Sequence, residues 1–272
     1  MENKFKFVLG DIQGCYQELR QLLKQIDYKR NNDIFCVGDI VNRGPESDKV
    51  VDFFLKNKVK SVLGNHDLHM MALILDIGKS KDKNHTLQKI IDKKKKLDIL
   101  DYFLKFPFAK IIQNNMKKTL VVHAGVLPSW GVKDILAANE ELTYSLKKDP
   151  EEFLRSMYSD RSKRISKSTN KRNRRRYLVN VFTRMRFISS NYKLDLKTKM
   201  NKTQIKKYKP WFKYRHKSLN ELDGIVFGHW AAIRGVTNHT SIKGIDLGCV
   251  WGGSLAAYNI YDKSIITVKS KK

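Results

Sequence analysis

Gly38-Asp39-Ile40-Val41-Asn42-Arg43-Gly44-Pro45 follows the apolar run Ile34-Phe35-Cys36-Val37, and this junction decides how the chain is read. Four apolar residues ahead of a glycine predict a short buried strand. Glycines on both sides let the backbone turn sharply and approach a ligand closely. Between them stand one carboxylate, Asp39, and one guanidinium, Arg43. A carboxylate at a strand end suits a metal ion, and an arginine a few residues on suits a phosphate.

Two junctions of the same kind flank it. Phe5 to Leu9 reads as a strand, Gly10-Asp11-Ile12-Gln13-Gly14 as a glycine-bracketed loop, and Cys15 to Ile26 as a helix with Leu19, Leu22, Leu23 and Ile26 at helical spacing. Beyond the Asp39 loop, Ser47 reads as an N-cap for a helix marked by Val50, Val51, Phe54 and Leu55. Lys60 to Leu63 is a third strand, running into Gly64-Asn65-His66-Asp67 and an apolar helix from Leu68 to Ile77. Strand, loop and helix three times over predict a parallel sheet with right-handed crossovers. Its ligands gather at the carboxyl ends of the strands.

Further on, Gly78 to Asn84 reads as a polar linker and Leu87 to Leu104 as one helix. Thr119 to Val122 is a strand ending in His123-Ala124-Gly125; Lys133 to Leu146 and Pro150 to Met157 are helical. Arg161 to Arg176 holds nine Lys or Arg in sixteen residues, with no acid and almost nothing apolar. That composition predicts an exposed or disordered loop. Helical periodicity resumes over Tyr177 to Phe187, and Asn191 to Asn220 is irregular and basic. Ile225 to Phe227 is a strand ending in Gly228-His229-Trp230, and Ser254 to Ile260 with Ser264 to Val268 forms a hairpin.

The 272 residues, 41% hydrophobic, are enough for one large domain with an insertion or for two small ones. Cys15, Cys36 and Cys249 have no metal-type spacing and suit a reducing cytoplasm. No apolar run approaches the roughly 18 residues of a membrane span, and no signal peptide is expected at Met1. The net charge of +27 admits a polyanionic partner. The crowding of Lys, Asn and Ile favours compositional drift on solvated faces for most of it.

Five strand ends thus offer ligands: Asp11 with Gln13, Asp39, Asn65 with His66, His123, and His229. Mixed oxygen and nitrogen donors suit Mn²⁺ or Co²⁺ over Mg²⁺. Asp39 is the central candidate to be shared by two ions.

These loops, in this order, resemble the calcineurin-like metallophosphoesterase superfamily and its phosphoprotein-phosphatase branch. Within that branch, Gly64-Asn65-His66-Asp67-Leu68-His69, Phe182-Thr183-Arg184-Met185-Arg186-Phe187, Lys209-Pro210-Trp211-Phe212, Gly228-His229-Trp230 and Asp246-Leu247-Gly248-Cys249-Val250-Trp251-Gly252-Gly253 resemble the family of symmetrical bis(5'-nucleosyl)-tetraphosphatases. The resemblance implies a four-layer α/β/β/α sandwich. It implies a single metallophosphoesterase domain over 1–272, with a mainly helical, basic insertion at about 130–222 serving as a lid. It implies two divalent ions, one on Asp11, Gln13 and Asp39, the other on Asp39, Asn65, His123 and His229. His66, fixed by Asp67, would be the general acid, and Arg43 would bind the phosphoryl group. The implied reaction is hydrolysis of diadenosine tetraphosphate to two ADP by activated water. Arg184, preferred to Arg186 because the two fall on different helix faces, would hold the phosphate chain. Trp230 and Trp251 would stack on adenine.

Two positions depart from the superfamily. Gln13 stands where histidine is usual, offering only an amide oxygen and weakening the first site. Asn42 stands where protein phosphatases carry aspartate, leaving Arg43 less neutralised and suiting a more anionic substrate. A serine/threonine protein phosphatase with the same metal core is the first alternative, and an RNA-binding protein acting on nucleotide-capped RNA the second. No protein or membrane partner is implied.

Overall fold

The computed structural model describes residues 5–29, 33–78, 85–114, 117–157, 164–166 and 169–271. The three predicted units are β1 (Phe7–Leu9) and α1 (Tyr16–Gln25), β2 (Ile34–Cys36) and α2 (Ser47–Asn57), and β3 (Lys60–Ser61) and α3 (Asn65–Ile74). The strands pair in parallel, Leu9 opposite Cys36 and Cys36 opposite Ser61, so their loops emerge at one edge. The predicted hairpin, β11 (Ser254–Asn259) and β12 (Ile265–Lys269), adds antiparallel to β1 and completes the order β12-β11-β1-β2-β3.

A second sheet has the order β10-β9-β5-β4, from β4 (Ala109–Asn114), β5 (Lys117–Val122), β9 (Gly224–Phe227) and β10 (Ile242–Gly244). Strand alternation builds the layers. Val8, Phe35, Val37 and Val62 of the first sheet meet Val121, Val226 and Ile245 between the sheets. Phe7, Leu9, Ile34 and Cys36 point the other way, into the helix layer of Leu19, Leu22, Val50 and Phe54. Leu120, Val122, Ile225 and Phe227 turn to the outer face of the second sheet and are buried in the core that the helices share, which gives the predicted four-layer α/β/β/α sandwich.

Several local readings are corrected. Ser47 is the first residue of α2 and not its cap; its hydroxyl accepts the Asn42 N–H at 2.9 Å and so ties down the Asp39 loop. The stretch from Leu87 to Leu104 is two helices, α4 (Gln88–Ile91) and α5 (Lys96–Phe103), parted at the lysine run. Lys93 turns out to pair with Asp52. The linker at 79–84 lies outside the described residues.

Between β5 and β9 come α6 (Val132–Lys148), α7 (Pro150–Ser156) and α8 (Lys171–Arg184). They are followed by a small sheet of β6 (Phe187–Ser189), β7 (Leu194–Asp195) and β8 (Tyr208–Pro210). The second half of the basic stretch 161–176 is therefore helix; 158–163 and 167–168 lie outside the described residues. Asn170 caps α8, accepting the Asn173 N–H at 2.9 Å. The missing acids come from α6 and α7: Glu141 pairs with Arg174 at 3.0 Å, and Glu152 pairs with Arg175. No helix among the described residues is long and apolar enough to cross a membrane.

Candidate active site

The strand-end loops converge in a strained backbone. Gln13 (φ 46°), Asp39 (51°), Asn42 (78°), Arg43 (68°) and His229 (65°) are all left-handed without being glycine. Such residues cost of order 1 kcal/mol or more each and persist only where the surroundings over-determine them. Asp67 supplies much of that constraint. Its buried carboxylate accepts the N–H groups of Asp39 (2.8 Å), Ile40 (2.9 Å) and Gly64 (2.9 Å). The same bond to Gly64 starts α3 at Asn65, three residues before its apolar run begins. Two glycines are obligatory: a Cβ at Gly64 would lie 2.2 Å from Asp39 Oδ1, and one at Gly228 would lie 2.0 Å from Asp11 Oδ1.

Ligating atoms of Asp39, His123 and His229 lie within 4.8 Å of one another. His123 Nδ1 is 2.9 Å from the Val37 carbonyl, so it is the donor there. Its Nε2 faces Asp39 Oδ2 at 3.4 Å and the Asn65 amide at 3.3 Å, and, against the cost of its burial, Asp39 pushes the His123 imidazole towards its protonated form. His229 Nε2 is buried with no hydrogen-bond partner. A carboxylate and two imidazoles converging in a buried site, with an amide beside them, form a donor set that a divalent cation completes. Both oxygens of Asp11 accept the His229 N–H at 3.1 Å, placing that carboxylate at the same edge. Gln13 turns its amide nitrogen to Asp39 Oδ2 at 3.4 Å; rotating the amide presents its oxygen instead.

The electrostatics agree with the donor set. Burial, then Asp246 and Asp39, push the Asp11 carboxyl well up. Burial raises Asp246 to about 6. Burial, then Arg186 and His123, push His229 well down. Asp39 is held below the usual carboxylate range against the cost of its burial, by His123 and His66. Three crowded carboxyls and a buried imidazole kept neutral call for positive charge among them.

His66 stands beside this cluster, but Asp67 does not fix it, which corrects the sequence reading. Asp67 is committed to three backbone donors. The imidazole Nδ1 lies 2.7 Å from Asn42 Nδ2. Asn42 Oδ1 accepts from the Arg43 N–H at 2.8 Å and the Thr86 hydroxyl at 3.1 Å, so Nδ2 is the donor to the ring. The ring proton therefore resides on Nε2. Thr86 had no signal in the sequence, because the fold carries it to Asn42 from more than forty residues away.

One cavity of about 960 Å³ contains Gln13, Asp39, Asn65, His66 and His229 together with Arg43, Arg184 and Arg186. The preference for Arg184 over Arg186 does not survive. Helix α8 ends at Arg184 and Met185 is extended (ψ 136°), so the helix-face argument lapses and both guanidinium groups line the cavity. Arg186 reaches the His229 carbonyl at 3.3 Å, and its Nε has no partner. Trp230 is also corrected. It borders the same cavity but is only 1% exposed, packs against Phe187 and Phe212, and donates its N–H to the Met200 carbonyl, so little of the indole is left to stack on a base. Trp251 is 67% exposed in the same cavity. Asp246, Lys199, Arg234 and Lys269 also line it, and none was singled out from the sequence. Asp246 follows a strand and precedes a glycine by two residues, the signal that found the other ligands; β10 was too short to read.

The chain belongs to the calcineurin-like phosphoesterase family, whose profile matches residues 7–232. It is 38% identical over 262 residues to a protein of Marinomonas sp. (strain MWYL1) named bis(5'-nucleosyl)-tetraphosphatase, symmetrical, covering 94% of both chains. A protein of the same name from Coxiella burnetii (strain RSA 331 / Henzerling II) is 34% identical over 267 residues, 96% of this chain and 90% of its own. A solved structure described provisionally as a diadenosine tetraphosphatase superposes with a TM-score of 0.65 at 24% identity, covering 99% of this chain and 96% of the other. That likeness shows the shared fold.

Proposed function

We propose that this protein hydrolyses diadenosine 5',5'''-P1,P4-tetraphosphate symmetrically to two ADP. The reading rests on full-length similarity to proteins of that name, in a chain whose cavity joins Gln13, Asp39, Asn65 and His229 to Arg43, Arg184 and Arg186. Asp11, Gln13 and Asp39 would hold one divalent ion, and Asp39, Asn65, His123 and His229 a second, with Mn²⁺ or Co²⁺ suited to the mixed donors. Bound there, the ions supply an activated water and neutralise phosphoryl charge.

The chain's own residues do the rest. Arg43, Arg184 and Arg186 orient the phosphate chain and offset its charge. His66 offers its Nε2–H as a hydrogen bond to the leaving ADP oxygen, and Asn42 maintains that tautomer. ADP is an acidic leaving group, so proton donation counts for less than charge neutralisation. Asp67 keeps the Asp39 loop in its strained form. The insertion, a lid on one domain, closes the cavity with Arg184, Arg186 and Lys199. We place the reaction in the cytoplasm, where its substrate class occurs.

The test sets diadenosine tetraphosphate against a phosphoserine peptide, each with Mn²⁺ or Co²⁺. Release of ADP alone from the first, lost in Asp39→Asn, supports the reading. Faster phosphate release from the peptide would make the protein a protein phosphatase instead.

A further inference from the structure

The proposed role of His66 depends on which end of the Asn42 amide faces it. A carboxylate has two equivalent oxygens, but an amide has a donor end and an acceptor end, exchanged by a half-turn about its last bond. Only one orientation leaves His66 with its proton on Nε2. The ring does not select it, since a neutral imidazole can carry its proton on either nitrogen. The choice is made on the far side of Asn42. There Oδ1 accepts the Arg43 N–H at 2.8 Å and the Thr86 hydroxyl at 3.1 Å. The Thr86 oxygen in turn accepts the same Arg43 N–H at 3.1 Å, so the three groups close a small ring of hydrogen bonds. Turned round, the amide would set Nδ2 against the Arg43 N–H, donor against donor. It would also offer an oxygen to His66 Nδ1 and draw the ring proton there, leaving Nε2 nothing to give a leaving oxygen.

Thr86 comes from outside the strand-end loops and is firmly held. The two apolar residues that follow it, Leu87 and Ile90, are buried. The His85 carbonyl accepts the Gln88 N–H at 2.8 Å, and the Leu87 carbonyl accepts the N–H groups of Ile90 and Ile91 at 3.0 and 3.1 Å. Helix α4, which begins here, packs on α2, and α2 supplies the Ser47 hydroxyl that accepts the Asn42 N–H. The Asn42 backbone is thus anchored from α2 and its side chain from the threshold of α4. Asn42 and Arg43 are both left-handed, a strained pair that persists only under such anchoring. Thr86 does not line the cavity, so it acts through Asn42 and His66 and not on the substrate.

We propose that Thr86 is a positioning residue for the hydrolysis: its hydroxyl fixes the Asn42 amide with the donor end towards His66, and so keeps on Nε2 the N–H that bonds the leaving oxygen. The role deepens the proposed reaction and rests on it. It also gives the segment between α3 and α4, remote in sequence from every candidate ligand loop, a part in the chemistry.

Thr86→Val removes the hydroxyl and keeps the shape. On diadenosine tetraphosphate with Mn²⁺ it should lower kcat about fivefold, what one net hydrogen bond is worth. KM should stay nearly unchanged, because the Arg43 N–H keeps Asn42 as its acceptor. Thr86→Ser should recover most of the loss. In a His66→Asn background Thr86→Val should cost nothing more, since the group it positions is gone. An unchanged kcat in Thr86→Val, or a loss of equal size in the His66→Asn background, would overturn the role. Nitrogen-15 spectra of the histidine rings, recorded with diamagnetic Mg²⁺, read the tautomer without turnover, the His66 signals being assigned by their loss in His66→Asn. The wild-type ring should carry its proton on Nε2, and a form protonated on Nδ1 should appear in Thr86→Val; the same tautomer in both would overturn the role. If the wild-type protein leaves the dinucleotide intact, the proposed reaction fails. The spectra then decide alone: the positioning stands if Thr86→Val moves the proton and falls if it does not.

Discussion

Asp39 makes the largest number of independent demands on its surroundings. Its amide is held by Asp67, its Oδ1 accepts the His66 N–H at 2.8 Å, and its Oδ2 faces His123 at 3.4 Å. As the one ligand shared by both proposed ions, its replacement by asparagine should abolish turnover, whereas Gln13→Ala should leave a measurable residue of activity. Gln13→His should tighten metal binding in a calorimetric titration, since imidazole is the better donor for these ions. Unchanged binding would remove Gln13 from the ligand set. Asn42→Leu keeps the side chain's bulk but removes the donor to His66 Nδ1. It should lower kcat by about tenfold, below the usual general-acid contribution of roughly a hundredfold or more because ADP is an acidic leaving group, and raise KM as well, since the Arg43 N–H loses its Asn42 acceptor. The ligands were legible in sequence because each sits within two residues of a glycine at a strand end. The Asp67 clamp was not, because its acceptor geometry exists only once the loops of β2 and β3 lie side by side.

At the level of elements, strand–loop–helix repetition was readable wherever a strand met a glycine. It failed where contacts come from afar. Strand β4 was not recognised, because its alternation is broken by Lys110 and Gln113. The basic half of α8 looked unfoldable from its composition, until Glu141 and Glu152 arrived from neighbouring helices. Asn139 of α6 illustrates how the insertion is attached to the sandwich. Its Oδ1 accepts the N–H groups of Phe108 and Ala109, at 2.9 and 3.0 Å, at the start of β4. Asn139→Ala leaves two strand donors unsatisfied and should cost about 1–3 kcal/mol, read from the midpoint of urea unfolding. A change within a few tenths of a kcal/mol would mean that water replaces the asparagine.

On the scale of the whole molecule, one buried histidine away from the cavity sets an acid limit. His216 donates from Nε2 to the Trp211 carbonyl at 3.1 Å, and its Nδ1 is buried with no partner. Burial lowers it from 6.5 to about 4. The folded state therefore binds this proton less readily than the unfolded chain, and stability falls as the pH drops from about 6.5 towards 4. The span corresponds to roughly 3 kcal/mol. His216→Gln should flatten the profile in that window, checked by thermal melting at stepped pH. An unaltered slope would show that other groups set the acid limit.

The central claim is that water cleaves the middle of the tetraphosphate, leaving a diphosphate on each side. Hydrolysis of diadenosine tetraphosphate in ¹⁸O-enriched water, followed by mass spectrometry of the nucleotides, tests it most directly. ADP is expected as the only nucleotide, with half of the molecules carrying a single heavy oxygen on the terminal phosphate. AMP and ATP among the products would contradict it, as would ADP without label.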